Sequence, residues 1–195
     1  MVPGAPPDDE ELGARLRALR TERGVSLRAL AGSLGISPSA LSQMERGKMR
    51  PSVTRLFQIV SLLDVPLAAA FGQDAAEPEP PAGSGAVVLA RAADLPTLSL
   101  GDGVRYRRLS PAPSPGFEIY ESTYPPGSSS HQDGELLRHH GHELGSVQSG
   151  RLHLEIGSDH YDLGPGDSIR FPSATPHRVS NPGAEPAVAI WVNLP

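Results

Sequence analysis

Within a chain of 195 residues the spacing of apolar side chains changes period, and that change constrains the fold more than any other feature. Up to about Phe71 the apolar residues recur at helical intervals, in short segments punctuated by Gly24, Gly35, Gly47 and Pro51. From about residue 86 the pattern becomes a set of short β-favouring runs: VVLA, FEIYEST, ELGSVQ, RLHLEI, DSIRFP and AVAIWVN. Turn residues separate them, among them Pro125-Pro126-Gly127, Gly164-Pro165-Gly166 and Asn181-Pro182-Gly183. Between the two regimes lies QDAAEPEPPAGSG, residues 73–85, with almost nothing to bury. Two domains follow, α then β: a helical domain over 10–72, a flexible linker over 73–85, and an antiparallel β-barrel over 86–195. Residues 1–9 read as a disordered tail, and the chain shows no internal repeat.

The helical half carries its own boundary signals. A first helix runs over about 11–22, with Leu12, Leu16 and Leu19 on one stripe. Ser26 is a good N-cap for a second helix through Leu34, and Gly35 supplies the positive φ of a tight turn. Ser37 caps a third helix with Pro38 at its first position, where a missing N–H does no harm. A fourth helix covers about 52–63 and a short fifth about 66–71. Within residues 27–46, Ala31 is small where two helices nearly touch, and Leu30, Leu34, Ile36, Leu41 and Met44 fill a crossed pair. That is the layout of a helix-turn-helix, whose second helix enters a DNA major groove.

The charge supports it. The net charge is −5, yet residues 11–60 hold nine Lys or Arg against Glu11, Glu22 and Glu45, a surplus of +6, which leaves −11 for the rest. A solvated helical face would give the same surplus; its position on a helix-turn-helix favours phosphates. With no cysteine the chain has neither a disulfide nor a thiolate metal site. No apolar run approaches the ~20 residues of a membrane span. The acidic, proline-rich start is unlike a secretory signal. A cytoplasmic protein with no membrane partner is expected.

Residues 26–71, SLRALAGSLGISPSALSQMERGKMRPSVTRLFQIVSLLDVPLAAAF, resemble the lambda-repressor and Cro-like fold of the xenobiotic-response-element regulators. LSQMERGKMRPS is the specific part of that match. The resemblance implies a double-stranded DNA operator as partner. It puts Ser39, Ser42 and Gln43 of the third helix against base edges, with Ser37 at the helix start also among the contacts. Gln43 is the best single reader, since its amide bonds adenine in two places. Arg28, Arg46, Lys48 and Arg50 meet phosphates, which position the protein rather than specify sequence. Glu45 is the exception, expected to pair with an internal arginine.

The second half resembles a cupin, a double-stranded β-helix closed into a barrel. His139, Glu143 and Gly150 fit the spacing of the family's first motif, and Gly166, Pro172, His177 and Asn181 fit the second. Leu137 stands where the first motif has a histidine, and Ala174 where the second has a glycine. By that resemblance the candidate metal ligands are His139, Glu143 and His177. Two imidazoles and a carboxylate form the facial set of non-haem iron sites. The set is similar to that of a mononuclear-iron epoxidase of phosphonate antibiotic biosynthesis. Either these residues hold a divalent metal (iron, zinc, nickel or manganese), or they line a polar cavity for an organic effector. His140 and His142 should point away from His139, and His131, His153 and His160 read as surface histidines.

The expected protein is thus a homodimeric, sequence-specific transcriptional regulator, not an enzyme and with no catalytic residues, whose barrel binds a small-molecule effector and modulates operator binding. The linker is too flexible to transmit torque, so direct contact between the domains should carry the signal. The alternative is a mononuclear metal-dependent cupin enzyme, oxygenase- or epoxidase-like, with a helical accessory domain; Tyr106, Tyr120 and Tyr124 are the only further candidates for its chemistry.

Overall fold

The computed structural model describes residues 9–72, 87–110, 116–131, 134 and 136–194. The tail over 1–8 and the linker over 73–85 lie outside the described residues.

Among the described residues, four α-helices build the first half: α1 (Asp9–Glu22), α2 (Leu27–Ser33), α3 (Pro38–Glu45) and α4 (Val53–Leu62). Serines start the last three. Ser26, Ser37 and Ser52 accept hydrogen bonds from the backbone N–H groups of Ala29, Ala40 and Arg55, each satisfying one orphan donor of the first turn. α1 begins at Asp9, inside the stretch read as a tail. The expected fifth α-helix is a 3₁₀ helix over Leu67–Phe71, ended by Gly72 at φ 78°; five residues do not close two α-turns.

Several of the cations counted at the sequence level hold this domain together. Arg20 is buried and grips Glu45 through two bonds of 2.5 and 2.9 Å, fixing α1 to α3. Buried Arg55 donates to the carbonyl of Leu34 at 2.7 Å, so α4 satisfies an orphan acceptor at the end of α2. Arg15 and Arg23 donate to the carbonyls of Ala69 and Asp64. Gly13 is required where α1 crosses α3: a Cβ there would lie 2.4 Å from the Met44 carbonyl.

Among the described residues, nine strands make the second half: β1 (Thr97–Ser99), β2 (Arg105–Arg108), β3 (Glu118–Tyr124), β4 (His142–Ser149), β5 (Leu152–Ile156), β6 (Asp159–Leu163), β7 (Ser168–Pro172), β8 (His177–Ser180) and β9 (Ala187–Leu194). They form a six-stranded antiparallel sheet, β1-β2-β3-β9-β4-β7, facing a three-stranded sheet, β6-β5-β8. The barrel is therefore two sheets, joined at isolated bridges such as Leu137↔His177, rather than one continuous ladder. The run VVLA is not a strand. Val87 is 95% exposed and has no partner strand among the described residues, which its composition alone does not reveal.

Inward positions alternate as the period requires: Tyr120, Ser122 and Tyr124 on β3, Ala187, Ala189 and Trp191 on β9, Leu152 and Leu154 on β5. Trp191 lies opposite Gly145, where any Cβ would come within 2.4 Å of the indole.

The two halves are joined by more than the linker. The Thr54 N–H at the start of α4 donates to the Ser130 carbonyl at 2.8 Å, and Gly101 donates to the Pro51 carbonyl at 2.9 Å. Phe71 stacks on Tyr120 with centroids 5.6 Å apart. Apolar residues of the helices and of the barrel form one contiguous cluster.

Candidate functional site

Three elements bring the candidate ligands together. Glu143 is the second residue of β4 and faces inward; His139 lies just before that strand; His177 opens β8 on the opposite sheet. The ligand atoms of all three lie within 4.8 Å of one another. Glu143 and His177 are buried, and the His139 side chain is 12% exposed. Nε2 of His139 contacts Oε1 of Glu143, and Nε2 of His177 stands 3.4 Å from the same oxygen.

The protons on these rings follow from the far nitrogens. Nδ1 of His177 faces the Thr175 carbonyl at 2.8 Å, and Nδ1 of His139 faces the His140 carbonyl at 3.0 Å. A carbonyl only accepts, so each Nδ1 carries a proton and each Nε2 is turned toward the Glu143 carboxylate, where a proton or a metal ion has to lie between nitrogen and oxygen. Nε2 of His177 has no hydrogen-bond partner among the described residues despite complete burial. Three electron-rich atoms thus converge on one point, an arrangement that calls for a shared cation, either protons or a metal. Burial by itself pushes the Glu143 carboxyl up; the His139 hydrogen bond and the adjacent His177 outweigh it and hold the group at about 2. The residues fit a divalent metal.

Leu137 occupies the missing histidine's place. Its backbone exchanges hydrogen bonds of 2.9 and 3.0 Å with His177, which fixes it beside the site, and its buried side chain lines the same cavity. Asn181 is structural: its side chain ties the Tyr124 and Glu185 carbonyls and the Gly183 N–H into one turn. Tyr106 and Tyr124 also line the cavity, and burial keeps both phenols protonated by pushing them far above their ordinary value.

The roof of this cavity comes from the helical half. Val53 and Phe57 of α4 line it together with Leu137, Glu143, His177 and Trp191. The Phe57 ring lies 5.1 Å from that of His139 and 6.4 Å from that of Tyr106. About 10 Å³ of space remains, enough for one water molecule. Sequence reasoning missed this role for Val53 and Phe57. The structure reveals it by the burial of α4 nearly all round, at Val53, Thr54, Arg55, Leu56, Phe57, Ile59 and Val60, where a helix of a small free domain would keep a polar face.

On the helix-turn-helix, Ser39, Ser42 and Gln43 share one face of α3, Ser39 exposed and the other two half-exposed. Ser37 has its hydroxyl engaged as the cap of that helix. Arg28 and Arg46 are exposed beside it. Lys48 and Arg50 are exposed but turned toward the start of α1, 3.6 Å from Glu10 and 2.6 Å from Asp9 respectively. The opposite flank of α3, at Ala40 and Met44, with Ile36 of the preceding turn, faces an open cleft of about 660 Å³ against the turn at Leu100–Gly103.

A helix-turn-helix head roofing a histidine-bearing cupin defines a class of two-domain regulators. Family models match a helix-turn-helix over residues 16–69 and a cupin domain over 120–193. The HTH-type transcriptional regulator PuuR of Escherichia coli K12 is 30% identical over 174 residues, which is 88% of each chain. A crystal structure of an HTH_3 family transcriptional regulator from Vibrio cholerae covers 96% of this chain at 25% identity, with a TM-score of 0.66. Hydroxypropylphosphonic acid epoxidase from S. wedmorenis aligns at 21% identity over 97% of this chain and all of its own, with a TM-score of 0.49, too loose to bear on chemistry. The chain belongs to the helix-turn-helix transcriptional regulators that carry a C-terminal cupin domain.

Proposed function

We propose that this regulator reads its operator with α3 and senses a small ligand in the cupin cavity, the two events being coupled because α4 forms the cavity's roof. The head comprises residues 10–72 and the sensor 86–195. On the operator, Gln43 reads a base edge with Ser39 and Ser42 beside it, while Arg28 and Arg46 meet phosphates at the flanks. Lys48 and Arg50 join them by exchanging Glu10 and Asp9 for phosphate, and Ser37 stays the helix cap. Such a protein acts where the genome is, in the cytoplasm; no helix among the described residues is long and apolar enough to cross a membrane.

The Phe57 ring over His139 carries the coupling. With room for one water beneath it, an organic effector of any size has to move Phe57 and therefore α4, on which α2 and the rest of the head are packed. An effector shifts operator affinity only by the difference between its affinities for the two arrangements. The second occupant the cavity supports is a divalent metal held by His139, Glu143 and His177, favoured by the orphaned Nε2 of His177. When bound, that ion would supply a Lewis-acidic anchor for an anionic or chelating effector.

A homodimer suits a near-palindromic operator with half-sites one helical turn apart. Ile119, Val192 and Leu144 lie side by side on the outer face of the large sheet, with Leu144 39% exposed, an apolar stripe suited to a second copy.

The test is retardation of the gene's own upstream DNA at low salt. Substituting Arg46 and Lys48 by alanine should weaken binding to every sequence and flatten its salt dependence by nearly one unit of log–log slope per lost contact. No retardation of any upstream fragment would end the operator reading.

A further inference from the structure

Outside the barrel cavity, one cluster of metal-ligating side chains lies on the solvent face of the three-stranded sheet. β5 and β6 pair so that His153 faces Asp162 and Glu155 faces His160; β8 brings Arg178 alongside Glu155. Because side chains on one sheet face recur every second residue, these five share a surface.

Their geometry is that of a prepared site. Nδ1 of His153 lies 2.7 Å from a carboxylate oxygen of Asp162. A carboxylate only accepts, so Nδ1 carries the proton and the His153 Nε2 lone pair is bare. That Nε2 points at Nδ1 of His160, 3.3 Å away, and the two rings lie nearly parallel, with centroids 5.5 Å apart and 25° between planes. A tetrahedral zinc about 2.0–2.1 Å from each of two nitrogens holds them about 3.4 Å apart. Glu155 offers a carboxylate within 4.8 Å of both nitrogens. Arg178 opposes a cation here, but its guanidinium is engaged sideways, by an oxygen of Glu155 and by Nε2 of His131 at 2.9 Å. Asp162 stands as the outer carboxylate that orients a metal-bound imidazole and raises its basicity.

We propose that His153, His160 and Glu155 form a second metal site, for a borderline divalent transition ion of the zinc, nickel or copper class, with Asp162 as the positioning residue. Imidazole and carboxylate ligands suit these ions, and the alkaline earths disfavour them. The site is independent of the barrel triad: it lies on the outer face of the sheet that carries His177. An ion there would clamp the β5–β6 hairpin, whose inner residues Leu152 and Leu154 belong to the sensor's core.

The experiment is calorimetric titration of zinc sulfate into the full chain, wild type against His160→Asn. His160 is exposed, so the variant should fold with an unchanged melting curve. The barrel ligands are identical in both proteins, so the difference counts the outer site alone. The variant should take up one equivalent fewer per chain, and Asp162→Asn should keep that equivalent with about 10- to 100-fold weaker affinity. Copper(II) added to the wild type should show an electron-paramagnetic signal coupled to two nitrogens that His160→Asn reduces. Equal zinc stoichiometry and affinity in wild type and His160→Asn would overturn the site, as would loss of the extra equivalent on substituting Arg151, which has no part in it.

Discussion

Phe57→Ala separates two accounts of how the halves of this molecule are joined. If the head were tethered only through the linker, Phe57 would be an ordinary residue of a small helical core. In the structure it is 7% exposed and its ring contacts lie across the boundary, on Tyr106 and His139. Truncating a buried phenylalanine costs about 3–5 kcal/mol, from lost transfer energy and the cavity left behind. For a chain of this size each kcal/mol lowers the melting temperature by about 2–4 °C, so the drop should be roughly 6–20 °C. The location of the loss is the sharper readout. Trp191 is the chain's one tryptophan, buried in the barrel with Nε1 donating to Ser122 at 2.8 Å, and its fluorescence follows the barrel and the cavity it lines. Far-ultraviolet dichroism at 222 nm follows chiefly the helices of the head. In the wild type the two signals should melt together, because both halves share one core. In Phe57→Ala they should part, the helical signal going first. Separate transitions already in the wild type would refute a shared core, and coincident ones in the variant would refute Phe57 as the residue that joins the halves.

Two further substitutions probe single contacts. Glu45→Ala leaves the Arg20 guanidinium buried without its carboxylate and should destabilise the head by about 3–5 kcal/mol in chemical denaturation, whereas exposed Glu22→Ala should stay within about 0.5 kcal/mol. On the proposed dimer, Leu144→Arg puts a charge in the outer apolar stripe and should shift sedimentation from dimer to monomer, with operator affinity falling and Trp191 fluorescence unchanged.

Much of this architecture was legible from residue order. Ser26 and Ser37 announce helix starts because a short hydroxyl side chain satisfies an orphan N–H, and both do so here. Leu152, Leu154 and Ile156 alternate with His153 and Glu155, and the strand lies where that period puts it. The triad was legible because its spacing within the two motifs survives although Leu137 and Ala174 depart from them. What failed did so for physical reasons. VVLA has the composition of a strand, but pairing is a tertiary event that composition does not encode. β1, β2 and β8 are only three or four residues long, too short for an alternation to stand out. The surplus of positive charge was read as a field for phosphate, yet Arg20 and Arg55 are buried and serve the head's own packing. Phe57 was invisible as a roof, because an apolar residue at helical spacing has the same signature whether it faces its own domain or the next.

Hydrogen–deuterium exchange of the full chain, with and without its operator DNA, tests the coupling most directly. By linkage, a cavity whose filling alters operator affinity must itself respond when the operator binds. Exchange should change at α3 and also at residues 53–57 of α4 and at the strands bearing Glu143 and His177. A change confined to α3 and its flanking loops, with the cavity's walls exchanging as before, would contradict it.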